Sequence, residues 1–419
     1  MNRPTDETAP GEARLRERPA RFHAFASLQH RDFFLLWVGT LFASGGVWIQ
    51  QTTVGWLVWE LSGSPLLVGT VTGIRALPLL ILGPWGGVAA DRLDRRHLLI
   101  GTHVVLTVAA FLFALVIATG QVQVWHAFVF VLVAGSAWSF NQPVRQALVA
   151  NTVPSRDLMN AVALNAMAFQ LSRVIGPAAG GVLILVGMRE SFLLQGLLYL
   201  GVALAALPMR VRFEHRPLVQ ASVFSNLIEG MRFVWRDRIL LGLIAMAFAT
   251  VIFTMPAIHL MPVFAAEILH AGPEVLGLLL SAIGVGALVA SLAVASIREI
   301  PRKGTILFVT AALAAVCLTL FAFSTWLVLS VIILALMGFF QLFFRMVNMT
   351  LVQVLSPDAL RGRVMSIYMW DQGLLPLGSL IMGTLAQVWS APTAVVSFGL
   401  ASLVLLLFLA LRFRALRQL

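Results

Sequence analysis

The chain has 419 residues, 59% hydrophobic and only 11% charged, with a mean hydropathy of +0.92 and a net charge of +11. A soluble protein carries about 25% charged residues, and nothing here could cover so much apolar surface, so a large soluble enzyme is excluded. A transmembrane barrel would need polar–apolar alternation, which is absent.

A helix needs about 20 apolar residues to cross a bilayer. On that scale the apolar runs predict spans at 33–58, 66–90, 98–119, 125–150, 159–186, 191–209, 239–262, 274–297, 305–323, 327–351, 363–388 and 392–411. Turns fall on polar or Pro/Gly punctuation, including Ser62-Gly-Ser-Pro65, Gly120-Gln121 and Ser390-Ala-Pro392. The first 32 residues are polar and Arg-rich, and the run after them is too long for a signal-peptide core. Single Cys317 sits inside a span, so disulfides play no part. The expected fold is an all-α polytopic membrane protein with twelve transmembrane helices in two pseudo-symmetric six-helix halves. The expected units are a cytoplasmic tail (1–32), a first bundle (33–209), a cytoplasmic central loop (210–238), a second bundle (239–411) and a cytoplasmic C-terminal tail (412–419).

Basic residues test that order. With the N-terminus inside, Arg92, Arg95, Arg96, Arg156, Arg210, Arg238, Arg298, Lys303, Arg361, Arg363 and Arg412 all fall on the cytoplasmic side, while Arg189 alone falls in an outside loop. The positive-inside rule is satisfied. This charge holds topology and attracts anionic lipid headgroups, so it needs no nucleic acid. Within the central loop, Phe224, Leu227, Ile228, Met231, Val234 and Trp235 recur at helical spacing, predicting an amphipathic helix along the cytoplasmic face.

The two halves repeat. Pro65 and Gly69 align with Pro273 and Gly277, and Gly176 and Gly181 align with Gly378 and Gly383, at offsets of 208 and 202 residues. Parallel repeats of this kind place a substrate between the halves near the midplane.

The stretch Gly87-Val-Ala-Ala-Asp91-Arg92-Leu-Asp94-Arg95-Arg96 resembles the second-to-third-loop signature of the major facilitator superfamily, with Asp94 where that family most often has glycine. The resemblance implies that Asp91 caps or pairs with charges at neighbouring helix ends, and that Gly87, Asp91, Arg92, Arg95 and Arg96 gate the conformational change. "RVIGPAAGG" in the fifth span is similar to the Gly-Pro signature of the superfamily's antiporters, which marks Gly176, Pro177, Gly180 and Gly181 as sites of close helix approach. Residues 141–177 resemble an exporter branch that includes enterobactin exporters and macrolide efflux proteins.

Charges within spans cost about 2.5–3.5 kcal/mol each on insertion scales, and so mark functional candidates. They are Arg75, Arg145, Arg173, Arg345 and Asp371. Four cations against one acid favour an anionic or zwitterionic substrate. Asp371, the deepest acid, is the expected proton-coupling residue with Arg75 as its partner. Substrate-binding candidates are Gln51, Asn141, Arg145, Asn165, Gln170, Arg173, Gln341, Arg345 and Asn348, whose amides and guanidinia can bond a polar ligand. His259 reads as a packing residue.

There is no phosphate-binding Gly-rich loop with Lys, no metal-ligand spacing and no paired acids. No catalytic residue, metal or cofactor is therefore expected. The reading is a monomeric secondary transporter in the inner membrane, both termini cytoplasmic. It exports amphipathic small molecules by alternating access, coupled to proton influx. A lipid or lysophospholipid translocase on the same fold, or a non-transporting sensor, are the alternatives.

Overall fold

A computed structural model describes the chain over residues 25–211, 223–297, 302–358 and 360–418. Most of the N-terminal tail, residues 212–222 of the central loop and Arg298 lie outside them, as do the side chains of Phe224 and Leu227. All regular structure among the described residues is helical.

The first half contains α1 (Arg31–Ser62), α2 (Pro65–Ile74), α3 (Leu77–Arg92), α4 (Arg95–Ala118), α5 (Val124–Asn151), α6 (Leu158–Val186) and α7 (Met188–Ala206). A short helix, α8 (Val223–Arg236), links it to the second half. That half contains α9 (Arg238–Phe253), the three-residue α10 (Met261–Val263), α11 (Pro273–Ser296), α12 (Lys303–Ala322), α13 (Leu327–Leu355), α14 (Arg361–Tyr368), α15 (Leu375–Val388) and α16 (Ala391–Arg412). Ten helical stretches among the described residues are long and apolar enough to cross a membrane. Two further passes, α7 and the interrupted α14–α15, occupy the sixth and eleventh places. Each is more polar: α7 opens on Arg189-Glu190, and α14–α15 carries Arg361, Arg363 and Asp371.

Local chemistry sets the boundaries. Gly63 takes a left-handed φ of 56° to end α1, and Ser64 then caps α2 by accepting from the Leu67 amide, with Pro65 in the first turn. Asp94 and Asp237 cap α4 and α9, each accepting from two backbone amides. Asp94 thus performs a capping role that glycine could not.

Helices α1, α6 and α7 pack together in the first half, as do α11, α12 and α13 in the second. The halves meet along two seams, α6 against α11 and α2 against α15. A Cβ on Gly181 would stand 3.1 Å from the Cα of Gly277 and collide with the Pro273 carbonyl. At the other seam, a Cβ on Gly69 would stand 3.3 Å from the Cα of Gly383, and one on Gly383 would stand 3.2 Å from the Pro65 carbonyl. These are the same aligned pairs, exchanged between halves, so the repeat is realised as a pseudo-two-fold pair of glycine contacts.

Both seams lie toward the end that carries Ser62–Pro65 and Ser390, here called the far end. Ser64 Oγ donates to Gln387 Oε1 across the halves at 2.7 Å, and Ser281 Oγ donates to the Val174 carbonyl at 2.6 Å. At the opposite, basic end no hydrogen bond or ion pair joins the halves among the described residues. The described hydrogen bonds and glycine contacts between the halves therefore gather from the far end to mid-depth.

Gly176 and Gly180 serve a different contact. Their missing side chains admit Trp48 and Thr52 of α1, within the same half; of the fifth-span glycines, it is Gly181 that meets the other half. Gly181→Leu should overpack the seam by about 1–3 kcal/mol. Spin labels at Gln121→Cys and Thr325→Cys, in far-end loops of opposite halves, should then report a shift toward longer distances. An unchanged distribution would show that this glycine contact does not hold the far end shut.

Candidate functional site

Three membrane passes lose regular α-helical structure near mid-depth. α2 and α3 part at Arg75-Ala76, residues Met369–Leu374 form a 3-10 turn between α14 and α15, and Met255–Leu260 form another after α9. Such breaks are tolerated only where protein or a polar cavity takes up the freed backbone groups. A cavity of about 220 Å³ lies at this level, between the halves. Trp48, Gln50 and Gln51 of α1 line it, with Arg75 at the α2–α3 break, Trp138 of α5, Phe169 of α6, and His259 and Gln372 from the second half.

Arg75 holds its guanidinium 5.8 Å from the Trp138 ring centroid, and no carboxylate among the described residues pairs with it. Behind the cavity, Gln195 Nε2 donates to Gln50 Oε1 at 3.0 Å, and Tyr199 Oη donates to the same oxygen at 3.2 Å. The His259 ring is hydrogen-bonded through Nδ1 to Ser379 Oγ at 2.8 Å. Ser379 in turn packs where Gly73 of α2 leaves room for it. His259 therefore belongs to the cavity wall and to the seam, beyond the packing role read from sequence.

Asp371 follows a different course from the expected one. Its partner is Arg345, not Arg75: Arg345 Nη1 lies 2.8 Å from Asp371 Oδ2, with the carboxylate fully buried. Gln372 Nε2 donates to Asp371 Oδ1 at 3.1 Å, and Arg345 stacks over Tyr368. The reason is rotation about the helix axis. The 3-10 turn directs Gln372 into the cavity and Asp371 back toward α13, inside its own half. Arg173 of α6 lies over Trp48, 5.5 Å from the ring centroid, and within electrostatic range of Arg345.

Of the other substrate-binding candidates, only Gln51 lines this cavity. Asn141 Nδ2 donates to Thr102 and contacts His103 inside the first half, and Asn165 accepts from Thr40. Arg145 is buried among Leu36, Leu99 and Val202 beside a void of about 10 Å³. Gln341 donates to Thr254 and Asn348 to the Leu243 carbonyl. These amides cross-link helices within a half. Gln170 is half-buried on α6 and is not part of the cavity wall. Trp48, Thr72, Phe169 and His259 were not legible as lining residues, because no local pattern separates a cavity-facing aromatic from a lipid-facing one.

The charged stretch at the end of α3 has a clear local role. Arg95 donates to the Ala90 carbonyl at 3.0 Å and to Asn151 Oδ1 at 2.9 Å; Arg96 donates to the Ala206 carbonyl at 3.0 Å and to that of Leu207. These groups end α3, α5 and α7, where carbonyls lack intrahelical partners and negative dipole ends favour cations. Asp91 caps no helix; it stands half exposed, 3.8 Å from Arg95. Gly87 has open space where its Cβ would be, and Gly86 is the residue pressed against the Ser139 carbonyl. Nearby, the His30 hydrogen bond and then the Arg156 charge hold the Asp157 carboxyl below the usual carboxylate range.

A family model described as transmembrane secretion effector matches residues 22–418. The chain belongs to that family, within the major facilitator superfamily. Its relatives include the staphyloferrin A transporter of Staphylococcus aureus, 26% identical with 85% of this chain and 88% of that one covered. The enterobactin exporter EntS of Shigella flexneri is 26% identical, with 91% and 90% covered. The crystal structure of the nucleoside transporter NupG superposes with a TM-score of 0.70 at 14% identity, over 93% of this chain and 99% of that one. The transmembrane secretion effector chain is thus a multi-pass efflux transporter with the major facilitator fold.

Removing one member of a buried pair leaves the other charge uncompensated, at about 3–5 kcal/mol. Arg345→Ala should therefore lower the melting temperature in detergent markedly, and the double variant Arg345→Ala/Asp371→Asn should recover most of the loss. Equal destabilisation in both would mean that Arg345 acts through packing rather than by neutralising Asp371.

Proposed function

We propose that this protein is an inner-membrane proton antiporter that exports amphipathic small molecules by alternating access. The observation that carries the reading is a cavity between the halves, whose mutual contacts gather from the far end to mid-depth. The positive-inside rule makes the basic end cytoplasmic, so the cavity faces the side from which an exporter loads. Exporting relatives such as EntS favour the same direction.

The coupling group in this reading is Asp371. In this state the carboxylate is paired with Arg345 at 2.8 Å. The pair lies within the second half, so coupling requires the 3-10 turn itself to move relative to α13 during the cycle, freeing the carboxylate from Arg345 to exchange its proton with the other side. Arg75 sits on the cavity wall, where it is placed to bind substrate rather than the coupling proton. The gate reading for Gly87, Asp91 and Arg92 also belongs here. With Arg95 and Arg96 occupied at helix ends, Asp91 is the group left available to meet the second half when the basic end closes. The docked α8 is part of that second half, since Glu229 pairs with Arg363 of α14 at 2.6 Å.

Everted membrane vesicles test the coupling directly. Asp371→Asn should abolish accumulation driven by an acid interior, by about tenfold or more, while leaving substrate exchange without a gradient intact. Accumulation that still follows the imposed pH gradient would remove Asp371 from the coupling step and leave it a structural ion pair.

The gate makes a separate expectation. Asp91→Asn should slow turnover severalfold with membrane insertion and expression unchanged, and turnover at the wild-type rate would reduce the motif to helix capping and topology.

A further inference from the structure

The cavity wall has an uneven chemistry. Its charged group is a cation, Arg75, and no carboxylate is among its lining residues. Two further donors on the wall have no acceptor: Trp48 Nε1 and Gln50 Nε2 are both buried and without a hydrogen-bond partner. Gln50 is 2% exposed, and its Oε1 is already engaged by Gln195 and Tyr199. Both nitrogens are sealed within the protein behind the wall, so the group that the wall presents to a ligand is the unpaired Arg75 guanidinium. A lone cation on an otherwise uncharged wall calls for a ligand that carries negative charge.

The remaining wall is aromatic. Trp48 and Phe169 meet edge-on with centroids 6.1 Å apart, and Trp138 lies beneath the Arg75 guanidinium. Flat rings offer a face to a flat ligand. Size narrows the choice further: drug-sized ligands occupy pockets of about 300–1,000 Å³, and about 220 Å³ accommodates one fused ring system with a substituent.

We propose that this cavity recognises an aryl carboxylate: a planar aromatic ring stacked among Trp48, Trp138 and Phe169, with its carboxylate accepting from Arg75. This deepens the export reading by naming the substrate class at the same site, and it rests on that reading only for the direction of movement. Lipophilic cations are disfavoured, because Arg75 would repel them and no acid on the wall could compensate.

The test is equilibrium binding, which needs neither a gradient nor transport. Purified full-length protein in lipid nanodiscs is titrated calorimetrically with 2-naphthoate, 2-naphthylmethanol and 2-naphthylmethylammonium, which share a ring and differ in charge. Naphthoate should bind about tenfold or more tightly than the alcohol, as expected for a charge-assisted hydrogen bond, and the ammonium compound most weakly. Arg75→Gln should erase the preference for naphthoate while leaving the alcohol's affinity unchanged, and Arg75→Lys should restore part of it. Monodisperse elution and an unchanged melting temperature establish that each variant is folded. Absence of naphthoate binding, equal affinity for the three compounds, or an undiminished preference in Arg75→Gln would overturn the proposal. Selective naphthoate binding together with no export from everted vesicles would instead uphold the site and remove the transport direction.

Discussion

Two backbone contacts, Gly181 on Gly277 and Gly69 on Gly383, set what the rest of this molecule can do. Lipid tails are as apolar as leucine, so no hydrophobic force draws one half onto the other within the bilayer. Close van der Waals approach must supply the cohesion, and only glycine lets helices come that near. Pro177 contributes to this surface: lacking an N–H, it frees the Arg173 carbonyl, and Gly284 packs directly against that group. Cohesion across the seams therefore rests on backbone contact, with few side-chain bonds added to it.

The seams are equivalent in backbone and unequal in chemistry. α6 and α11 run unbroken past mid-depth, whereas the α2 and α15 side is interrupted at Arg75-Ala76 and Met369–Leu374. At the 202-residue offset Asp371 corresponds to Phe169, and at the 208-residue offset Arg75 corresponds to Ile283. A symmetric scaffold thus carries unlike residues at aligned positions, while α6 on the other seam has a charge of its own in Arg173. Arg75, Arg173 and Arg345 each lie over an aromatic ring. A cation over a ring face is partly stabilised without being neutralised; Arg345 is in addition paired with Asp371, and of the three only Arg75 lines the cavity.

Much of this was legible in the sequence, and the limit follows from helix geometry. Span order, the glycine alignment and the candidate charges all depend on position along the chain. Facing directions depend on rotation, and one residue changes the direction by about 100°. Asp371 and Gln372 illustrate it: adjacent in sequence, they point to Arg345 and to the cavity respectively. The amides Asn141, Asn165, Gln341 and Asn348 show the same limit, since each bonds within its own half and none lines the cavity. A polar side chain in a span must find a partner, and another helix of the same half meets that need as well as a ligand does.

The basic end shows how one short motif can serve both stability and motion. Arg95 and Arg96 are held by carbonyls that end α3 and α7, and Asp94 by the first amides of α4. All these bonds lie inside the first half, so they survive any rigid rotation of that half against the second. What they leave over is Asp91, half exposed and weakly held by Arg95 at 3.8 Å. A charge that is unsatisfied in one state and satisfied in the other biases the equilibrium by the difference, whereas the capped arginines, equally bonded in both, bias nothing. In the gate reading proposed above, Asp91 is therefore the member of the motif whose pairing can differ between states.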